Sequence, residues 1–412
     1  MRPPTLQYLY LQKPLTLILI IAALALLPWL AVDNDMSYTI VTYFGALAFV
    51  GYSFVFMGRR LKLPEAFTTS LVLITAFATQ CGSVALWRDM SYALCMLIAA
   101  VSFFKWEESK WKQFPWVGLL MLTLASVLKG WFSIALAALV FTTYAKMVGN
   151  PFKEVIKRTA LVATLPAIVT ALVFLFIAPY PFWNGVIKGI SSSPVIPVIY
   201  YLSTLIFSFI PWVVYSLFSV FGISPSAAER RRKKENRPPV VEPTGIERKV
   251  YLFSGIIIAY TLIGFSCFMQ KSGLIFIVPI FPFVSLFIAR YATFLTEYRT
   301  RVTRIFGYVL LLFSLLINAV FLASAFGMGY MFQPASGLAG GSVLLAKLAE
   351  IAESALSSPT PLSWALFSVL LFAQGTTVYQ LSKKVNIKIL YSCIGLYLAI
   401  TLFFYASFFL AL

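Results

Sequence analysis

Two short acidic segments stand out because carboxylates are scarce in this chain, where only 14 of 412 residues are Asp or Glu. Asp33 and Asp35 lie between the first and second apolar runs, and Arg88-Asp89 lies between the third and fourth. Two chemistries suit such carboxylates: a general base acting on an acceptor hydroxyl, or oxygen ligands for a divalent cation such as Mg²⁺ or Mn²⁺. The alternative is structural, since Asp35 and Asp89 also stand where they would cap the helices that follow.

Several basic and aromatic residues are candidates for binding an anionic substrate. Lys129 interrupts an otherwise apolar run, and a compact ammonium group binds phosphate well. The alternative for Lys129 is snorkelling to the membrane surface at the tip of a helical hairpin. Trp183 and Lys188 belong to an aromatic-rich segment, 178–194, which is also typical of an interfacial aromatic belt. The predicted substrate-binding residues are Arg88, Lys129, Trp183, Lys188 and Lys271.

The elements that must position these residues are membrane-spanning helices. The chain is 60% hydrophobic and 11% charged, whereas soluble domains carry roughly 25% charged residues. Its apolar runs are continuous, while the strands of a membrane barrel alternate apolar and polar residues. Because backbone groups in lipid need internal partners, we predict an all-α polytopic fold. Hydropathy gives thirteen spans: 14–32, 37–58, 66–87, 90–104, 115–128, 130–147, 159–179, 195–222, 250–270, 274–291, 302–326, 361–382 and 386–411.

The distribution of Lys and Arg predicts which ends of the spans are cytoplasmic. If the N-terminus lies in the cytoplasm, 27 of the 32 basic residues fall on cytoplasmic segments. This asymmetry follows the positive-inside rule and predicts an integral membrane protein with its N-terminus in the cytoplasm and its C-terminus outside. The acidic segments and the five candidate binding residues then share the outer face. The net charge of +18 is explained by these loops, so we expect no nucleic-acid partner.

The absence of histidine from the sequence excludes several familiar sites. His general bases, His metal ligands and Ser-His-Asp chemistry all require that side chain. Carboxylates and cations remain as the groups that could carry a reaction. The partners that this chemistry suggests are an anionic substrate and the surrounding membrane lipids.

A basic, proline-containing segment divides the chain into two predicted membrane parts. The linker 223–249 separates residues 1–222, with about eight spans and the predicted site, from residues 250–412, with about five. The linker either only fixes the topology or also binds anionic lipid headgroups. Apolar residues at helical spacing in 342–356 predict an outward amphipathic helix. Because the last span reaches Leu412, we expect no soluble C-terminal domain.

Five motifs occur in an order that resembles a known family. They are Asp33-Asn34-Asp35, Arg88-Asp89-Met90, Trp116-Val117-Gly118 through Leu128-Lys129-Gly130, Ile210-Pro211-Trp212, and the run from Gln270-Lys271 to Pro279-Ile280-Phe281-Pro282. Together they resemble the polytopic GT-C glycosyltransferases, in particular the lipid A aminoarabinose transferases and the protein O-mannosyltransferases. The first outward loop is shorter here than in that family, and Trp131 stands where the family has proline.

The resemblance implies a GT-C-like fold and an enzyme of the bacterial inner membrane that transfers a sugar from a polyprenyl-phosphate carrier to an acceptor on the outer, periplasmic face. It implies that Asp33 or Asp35 is the base or metal-associated carboxylate, that Asp89 supports it, and that Lys129 and Lys271 lie near the carrier phosphate. The acceptor is a lipid, glycan or protein. Two alternatives are an inactive GT-C-like subunit, with a protein partner in an envelope glycan complex, and a transporter of a lipid-linked substrate.

Overall fold

The computed structural model describes residues 4–26, 36–76, 90–176, 205–206, 208–213, 215, 245–268, 277–298, 300–323, 325–326, 361–383 and 386–409. Within these ranges the chain is helical, which confirms the predicted all-α class. Twelve α-helices are described: α1 Pro4–Leu26, α2 Met36–Gly58, α3 Leu63–Thr75, α4 Met90–Glu108, α5 Trp116–Lys129, α6 Phe132–Met147, α7 Phe152–Phe176, α8 Ile246–Phe268, α9 Phe281–Tyr298, α10 Thr300–Ala323, α11 Pro361–Lys383 and α12 Asn386–Phe409.

The helices follow the predicted spans closely. Twelve of the thirteen spans overlap a described helix, and the eighth, 195–222, falls largely outside the described residues. Five stretches among these helices are long and apolar enough to cross a membrane, in α4, α7, α9 with the turn before it, α10 and α12. The total of thirteen spans therefore stays a prediction, as does the division at the linker. The predicted amphipathic segment 342–356 lies outside the described residues.

The tenth predicted span differs from its expected form. The span contains Pro279 and Pro282, and proline inside a helix would bend it. Instead, Val278–Ile280 forms a separate 3-10 turn, and α9 begins at Phe281 with Pro282 in its first turn. Proline fits there because the first N–H groups of a helix have no intrahelical partner. The prolines therefore start α9 rather than bend it.

Close approach of backbones brings some of these helices together. Many consecutive helices pack against each other. In addition, α4 contacts the 3-10 turn and α6 contacts α8. A Cβ added at Gly118 of α5 would lie 2.8 Å from the Cβ of Ser102 in α4. Small residues allow such contacts, and dense packing holds helices together in a membrane. Glycine in the Trp116-Val117-Gly118 motif is thus required for the contact between α4 and α5.

Side-chain contacts show which helix ends share one end of the bundle. Arg60, just after α2, pairs with Glu108 at the end of α4, and Lys249 at the start of α8 pairs with Glu107. We call this the inner end, following the predicted topology; it comprises the helix ends at Gly58, Leu63, Glu108, Trp116, Met147, Phe152, Ile246 and Asn386. The outer end comprises those at Leu26, Met36, Met90, Lys129, Phe132, Phe176 and Phe268.

Candidate functional site

The predicted site residues belong to segments that connect helices at the outer end. Lys129 is the last residue of α5. The other predicted residues lie outside the described part of the chain: Asp33, Asp35, Arg88, Asp89, Trp183, Lys188 and Lys271. The structure does describe the helix ends to which all these segments are attached, and those ends constrain how the segments are arranged.

The two acidic segments are attached to helices that contact each other. The Tyr43 hydroxyl of α2 donates a hydrogen bond to the Ala23 carbonyl of α1 at 2.9 Å. On α2, a Cβ built at Gly45 would lie 3.9 Å from the Cβ of Met90, the first residue of α4. Asp35 immediately precedes α2 and Asp89 immediately precedes α4. Both carboxylate-bearing segments therefore adjoin one group of three packed helices.

The starts of α2 and α4 stand at different levels. The two helices run parallel, since Gly45 lies beside Met90 and the rings of Phe56 and Phe104 lie 5.5 Å apart further along. α2 begins at Met36, nine residues before Gly45, which corresponds to about 14 Å along the helix axis. For one cation to bind carboxylates from both segments, the residues that precede α2 or those that precede α4 would have to bridge this distance along the helix axis.

Lys129 lies at the tip of a tight helical hairpin. α5 ends at Lys129 and α6 begins at Phe132. Gly130 between them has φ +93°, and its N–H donates to the Ser126 carbonyl at 2.7 Å. Only glycine adopts such a conformation without steric cost, so the Lys-Gly pair produces the sharp reversal. The hairpin brings a cationic residue to the outer end of the bundle.

The start of α6 lies between the start of α4 and the end of α8. Ser133 Oγ of α6 donates to Tyr92 Oη of α4 at 3.4 Å. On its other side, the Phe132 ring lies so close to Gly264 of α8 that an added Cβ there would be 2.9 Å from its Cζ. The start of α6, directly after the Lys129 turn, is therefore next to both the start of α4 and the end of α8. The segment that follows α8 in sequence contains Lys271.

Directly below this group of helix ends is a small apolar cavity. It lies between α4, α6, α8 and the 3-10 turn, and its volume is about 20 Å³. Such a volume holds one water-sized group, not an isoprenoid chain. Its lining includes Tyr92, Met96, Phe103, Phe141, Phe253 and Pro279. This cavity is therefore too small for the lipid carrier that the family resemblance implies.

The described residues do not test the prediction of a bound divalent cation. No three His, Cys, Asp or Glu side chains in this part of the chain are grouped to hold a metal ion. The proposed ligands Asp33, Asp35 and Asp89 all lie outside it. Mg²⁺ or Mn²⁺ at the outer end stays a prediction.

Sequence reasoning missed a buried charged network at the inner end. Glu107, at 5% exposure, is the acceptor at its centre. Its carboxylate accepts hydrogen bonds from Tyr144 Oη at 3.1 Å, Asn150 Nδ2 at 3.3 Å, and Lys249 Nζ at 3.1 and 3.2 Å. A buried charge is tolerated only with such partners. The network joins α4, α6, the turn after α6 and α8, and so ties the two predicted membrane parts together.

Two further contacts extend this inner network. The Arg60 guanidinium bonds Glu108 at 2.6 Å and lies 4.9 Å from the Phe56 ring centroid. The Tyr251 hydroxyl donates to Glu65 of α3, and Arg290 of α9 lies 4.3 Å from the Tyr251 ring centroid. No local pattern predicts these pairs, because their members are far apart in sequence. The sequence feature that could have indicated this network is the acidic pair Glu107-Glu108, which lies just beyond the fourth apolar run.

The Pro-Trp motif behind the family resemblance belongs to the helix core. Trp212 is 1% exposed, and its indole N–H donates to Thr75 Oγ1 at 2.8 Å. Its neighbours Phe209 and Tyr215 are fully buried, and Tyr215 Oη bonds Thr303 Oγ1 at 2.8 Å. The motif therefore links the eighth predicted span to α3 and α10.

Comparison with known proteins shows the fold. No protein-family model and no curated protein matches this chain. ArnT from Cupriavidus metallidurans bound to undecaprenyl phosphate is similar, with a TM-score of 0.53, 16% identity, and coverage of 92% of this chain and 64% of that one. The apo structure of ArnT from the same organism has a TM-score of 0.54 and 17% identity, and the match covers 94% of this chain and 72% of that one. The chain thus spans just under two thirds of the length of the bound structure, and its predicted GT-C-like fold is confirmed.

Proposed function

We propose that this protein is a membrane glycosyltransferase that moves a sugar from a polyprenyl-phosphate donor to an acceptor at the outer face. The ArnT-like fold over more than nine tenths of the chain supports an enzyme of this general type. One of those ArnT structures contains undecaprenyl phosphate, which supports a polyprenyl-phosphate ligand here. The fold alone specifies neither the acceptor nor the sugar.

The observation that carries the proposal is the set of contacts among the outer helix ends. The end of α1 contacts α2 at Tyr43, and α2 contacts the start of α4 at Gly45. α4 contacts the start of α6, which contacts α8. The segments attached to these ends contain the acidic pair Asp33 and Asp35, then Asp89, Lys129 and Lys271. Carboxylates and cations from distant parts of the sequence are therefore attached to one packed group of helices.

These residue types suit the chemistry of glycosyl transfer. A carboxylate, Asp33 or Asp35, takes the proton from the acceptor hydroxyl as that oxygen attacks the anomeric carbon, and Asp89 supports it. The bond from that carbon to the carrier phosphate breaks, and the phosphate leaves as an anion. Lys129 and Lys271 stabilise this developing charge, because fixed cations act most strongly where charge appears in the transition state.

The remaining predicted residues are assigned to binding. Arg88, Lys188 and Trp183 contact the donor, the two cations at its phosphate and the indole at its sugar or lipid. A divalent cation, Mg²⁺ or Mn²⁺, would be held by Asp33, Asp35 or Asp89, and it would neutralise phosphate charge when bound. Carboxylate oxygens are the ligands that these ions prefer.

The function is tested by sugar transfer in membranes that contain the full chain. Polyprenyl-phosphate-linked sugars are supplied as donors, and glycosylated lipids, glycans and proteins are measured by mass spectrometry. We expect Asp33→Asn, Asp35→Asn or Asp89→Asn to abolish transfer while the amount of folded protein stays constant. If a triple Asp→Asn variant kept full transfer, the proposed site would be wrong. Absence of transfer by the wild type in a stable stoichiometric complex would instead support an inactive subunit.

A further inference from the structure

A cluster of aromatic rings beneath an arginine lies at the inner end, away from the proposed site. The Arg158 guanidinium of α7 lies 5.6 Å from the ring centroid of Trp106 and 5.9 Å from that of Trp111. Phe141 stacks on Trp106 at 5.6 Å and lies 5.7 Å from Trp111. We call these four residues, Trp106, Trp111, Phe141 and Arg158, the inner cup. Its elements are α4, the loop after it, α6 and α7.

The inner cup contains donors that have no acceptor. Trp106 is 2% exposed, yet its indole N–H has no hydrogen-bond partner among the described residues, and Nε of Arg158 has none either. Buried donors are usually paired, so two unmatched donors in one cluster indicate a missing acceptor. The Arg158 side chain is 28% exposed, and its contact with Glu154 is long, at 3.5 Å. This arginine is therefore available to an incoming anion.

The loop that forms one wall of the inner cup has a strained backbone. Lys110 and Trp111 have φ of +52° and +66°, the left-handed region that side chains other than glycine rarely adopt. The packing of Trp111 against Trp106, at 5.1 Å, accompanies this conformation. Strain of this kind persists where the surroundings enforce it and is often found at binding sites. Here it keeps the Trp111 ring beneath Arg158.

The surface around the inner cup combines exposed rings with lysines. Phe114 and Trp116 lie 4.3 Å apart and are 39% and 68% exposed. Exposed lysines occur on the same loop and on the first two turns of α7: Lys110, Lys112, Lys153 and Lys157. Tryptophan is enriched where hydrocarbon meets headgroups, and basic clusters attract anionic lipids. A free inorganic anion would gain nothing from the exposed rings, whereas a lipid uses both features.

We propose that the inner cup binds the phosphate headgroup of an anionic phospholipid in the inner leaflet. The phosphate displaces Glu154 and accepts hydrogen bonds from the Arg158 guanidinium, whose side chain shifts to expose its buried, unmatched Nε. Lys110 and Lys112 contact the rest of the headgroup, and an acyl chain runs along Phe114 and Trp116. This site is separate from the outer end and does not depend on the proposed glycosyl transfer.

Native mass spectrometry of the detergent-solubilised full chain tests this site. Phosphatidylglycerol and phosphatidylcholine are added separately, and the retained copies of each lipid are counted. We expect the wild type to retain more phosphatidylglycerol, and Arg158→Gln to reduce that preference about fivefold, the effect of one cation near anionic lipid. The matched control is Lys388→Gln, an exposed lysine at the inner end of α12, outside the inner cup. It should leave the preference unchanged.

Three outcomes would overturn the proposal. The first is equal retention of both lipids by the wild type, and the second is an equal loss of preference in Lys388→Gln and Arg158→Gln. The third is complete loss of the preference in excess inorganic phosphate, which would indicate a site for free anions. If Arg158→Gln does not fold, Lys110→Gln combined with Lys112→Gln gives a second test. Both lysines are exposed, so that variant should fold and still lose part of the preference.

Discussion

The two ends of the bundle use charged residues in different ways. At the inner end, the charges of Glu107, Glu108 and Lys249 are matched by partners within the helices. At the outer end, the candidate carboxylates Asp33 and Asp89 occur on connecting segments beyond the helices. Removing one member of a buried charge pair destabilises the fold, whereas residues on segments that a rigid scaffold holds often carry function. We infer that Glu107, Glu108 and Lys249 are structural and that the carboxylates assigned to the outer end are functional.

The largest effect on stability should come from Glu107 at the inner end. Glu107→Ala leaves Tyr144, Asn150 and Lys249 without their shared acceptor. We expect the free energy of unfolding to fall by about 3 kcal/mol, at the lower limit for breaking a buried pair because Lys249 is one-third exposed. Thermal or denaturant unfolding in micelles measures this change.

The matched control for Glu107 is another glutamate of the inner end. Glu154→Ala removes an exposed contact between residues one helical turn apart, and its side chain is 47% exposed. Such pairs contribute about 0.3 to 0.5 kcal/mol. Equal losses in the two variants would mean that the Glu107 network does not hold the inner end together.

A smaller effect is expected from the contact between α4 and α5. Gly118→Ala places a methyl group 2.8 Å from the Ser102 Cβ, so the helices must separate. We expect a loss of about 2 kcal/mol in the free energy of unfolding, as is usual for overpacking. Gly375→Ala is the control, since an added Cβ meets nothing within 4 Å there. If Gly118→Ala were as stable as Gly375→Ala, the described packing of α4 on α5 would be wrong.

The smallest of these effects concerns the Pro-Trp motif. Trp212→Phe keeps an aromatic ring in the core but removes the hydrogen bond to Thr75. The expected loss is about 1 kcal/mol, the usual contribution of one hydrogen bond, with sugar transfer unchanged. A loss of transfer without a loss of stability would place this tryptophan in the reactive site instead.

Hydropathy predicted most helices, but it misplaced the ends that contain paired charges. The fourth span was predicted as 90–104, whereas α4 continues to Glu108 because Lys105, Glu107 and Glu108 extend the same helix. α7 likewise begins at Phe152, seven residues before its apolar run, and contains the pair Glu154 and Arg158. Charged residues lower local hydropathy even where tertiary partners keep them helical, and those partners are not visible in a local window.

The site was predictable only as a set of residue types on one face. Charge counting assigned Asp33, Asp89 and Lys129 to a common side, and this grouping stays a prediction. The structure shows that the helices to which their segments attach contact one another. The difference in level between the starts of α2 and α4 has no signal in the sequence, because it depends on how the two helices pack. Whether the carboxylates act together therefore stays a prediction.

The most direct test compares both ends in a single experiment with two measurements. Sugar transfer and the free energy of unfolding are measured for Asp33→Asn, Asp89→Asn and Glu107→Gln. We expect transfer to fall about 100-fold or more in the two outer variants, as is usual on loss of a general base or its support, with stability within about 0.5 kcal/mol of wild type. Glu107→Gln should lower stability and retain transfer in the protein that remains folded. Full transfer in both outer variants, or their unfolding, would contradict the assignment of function to the outer end.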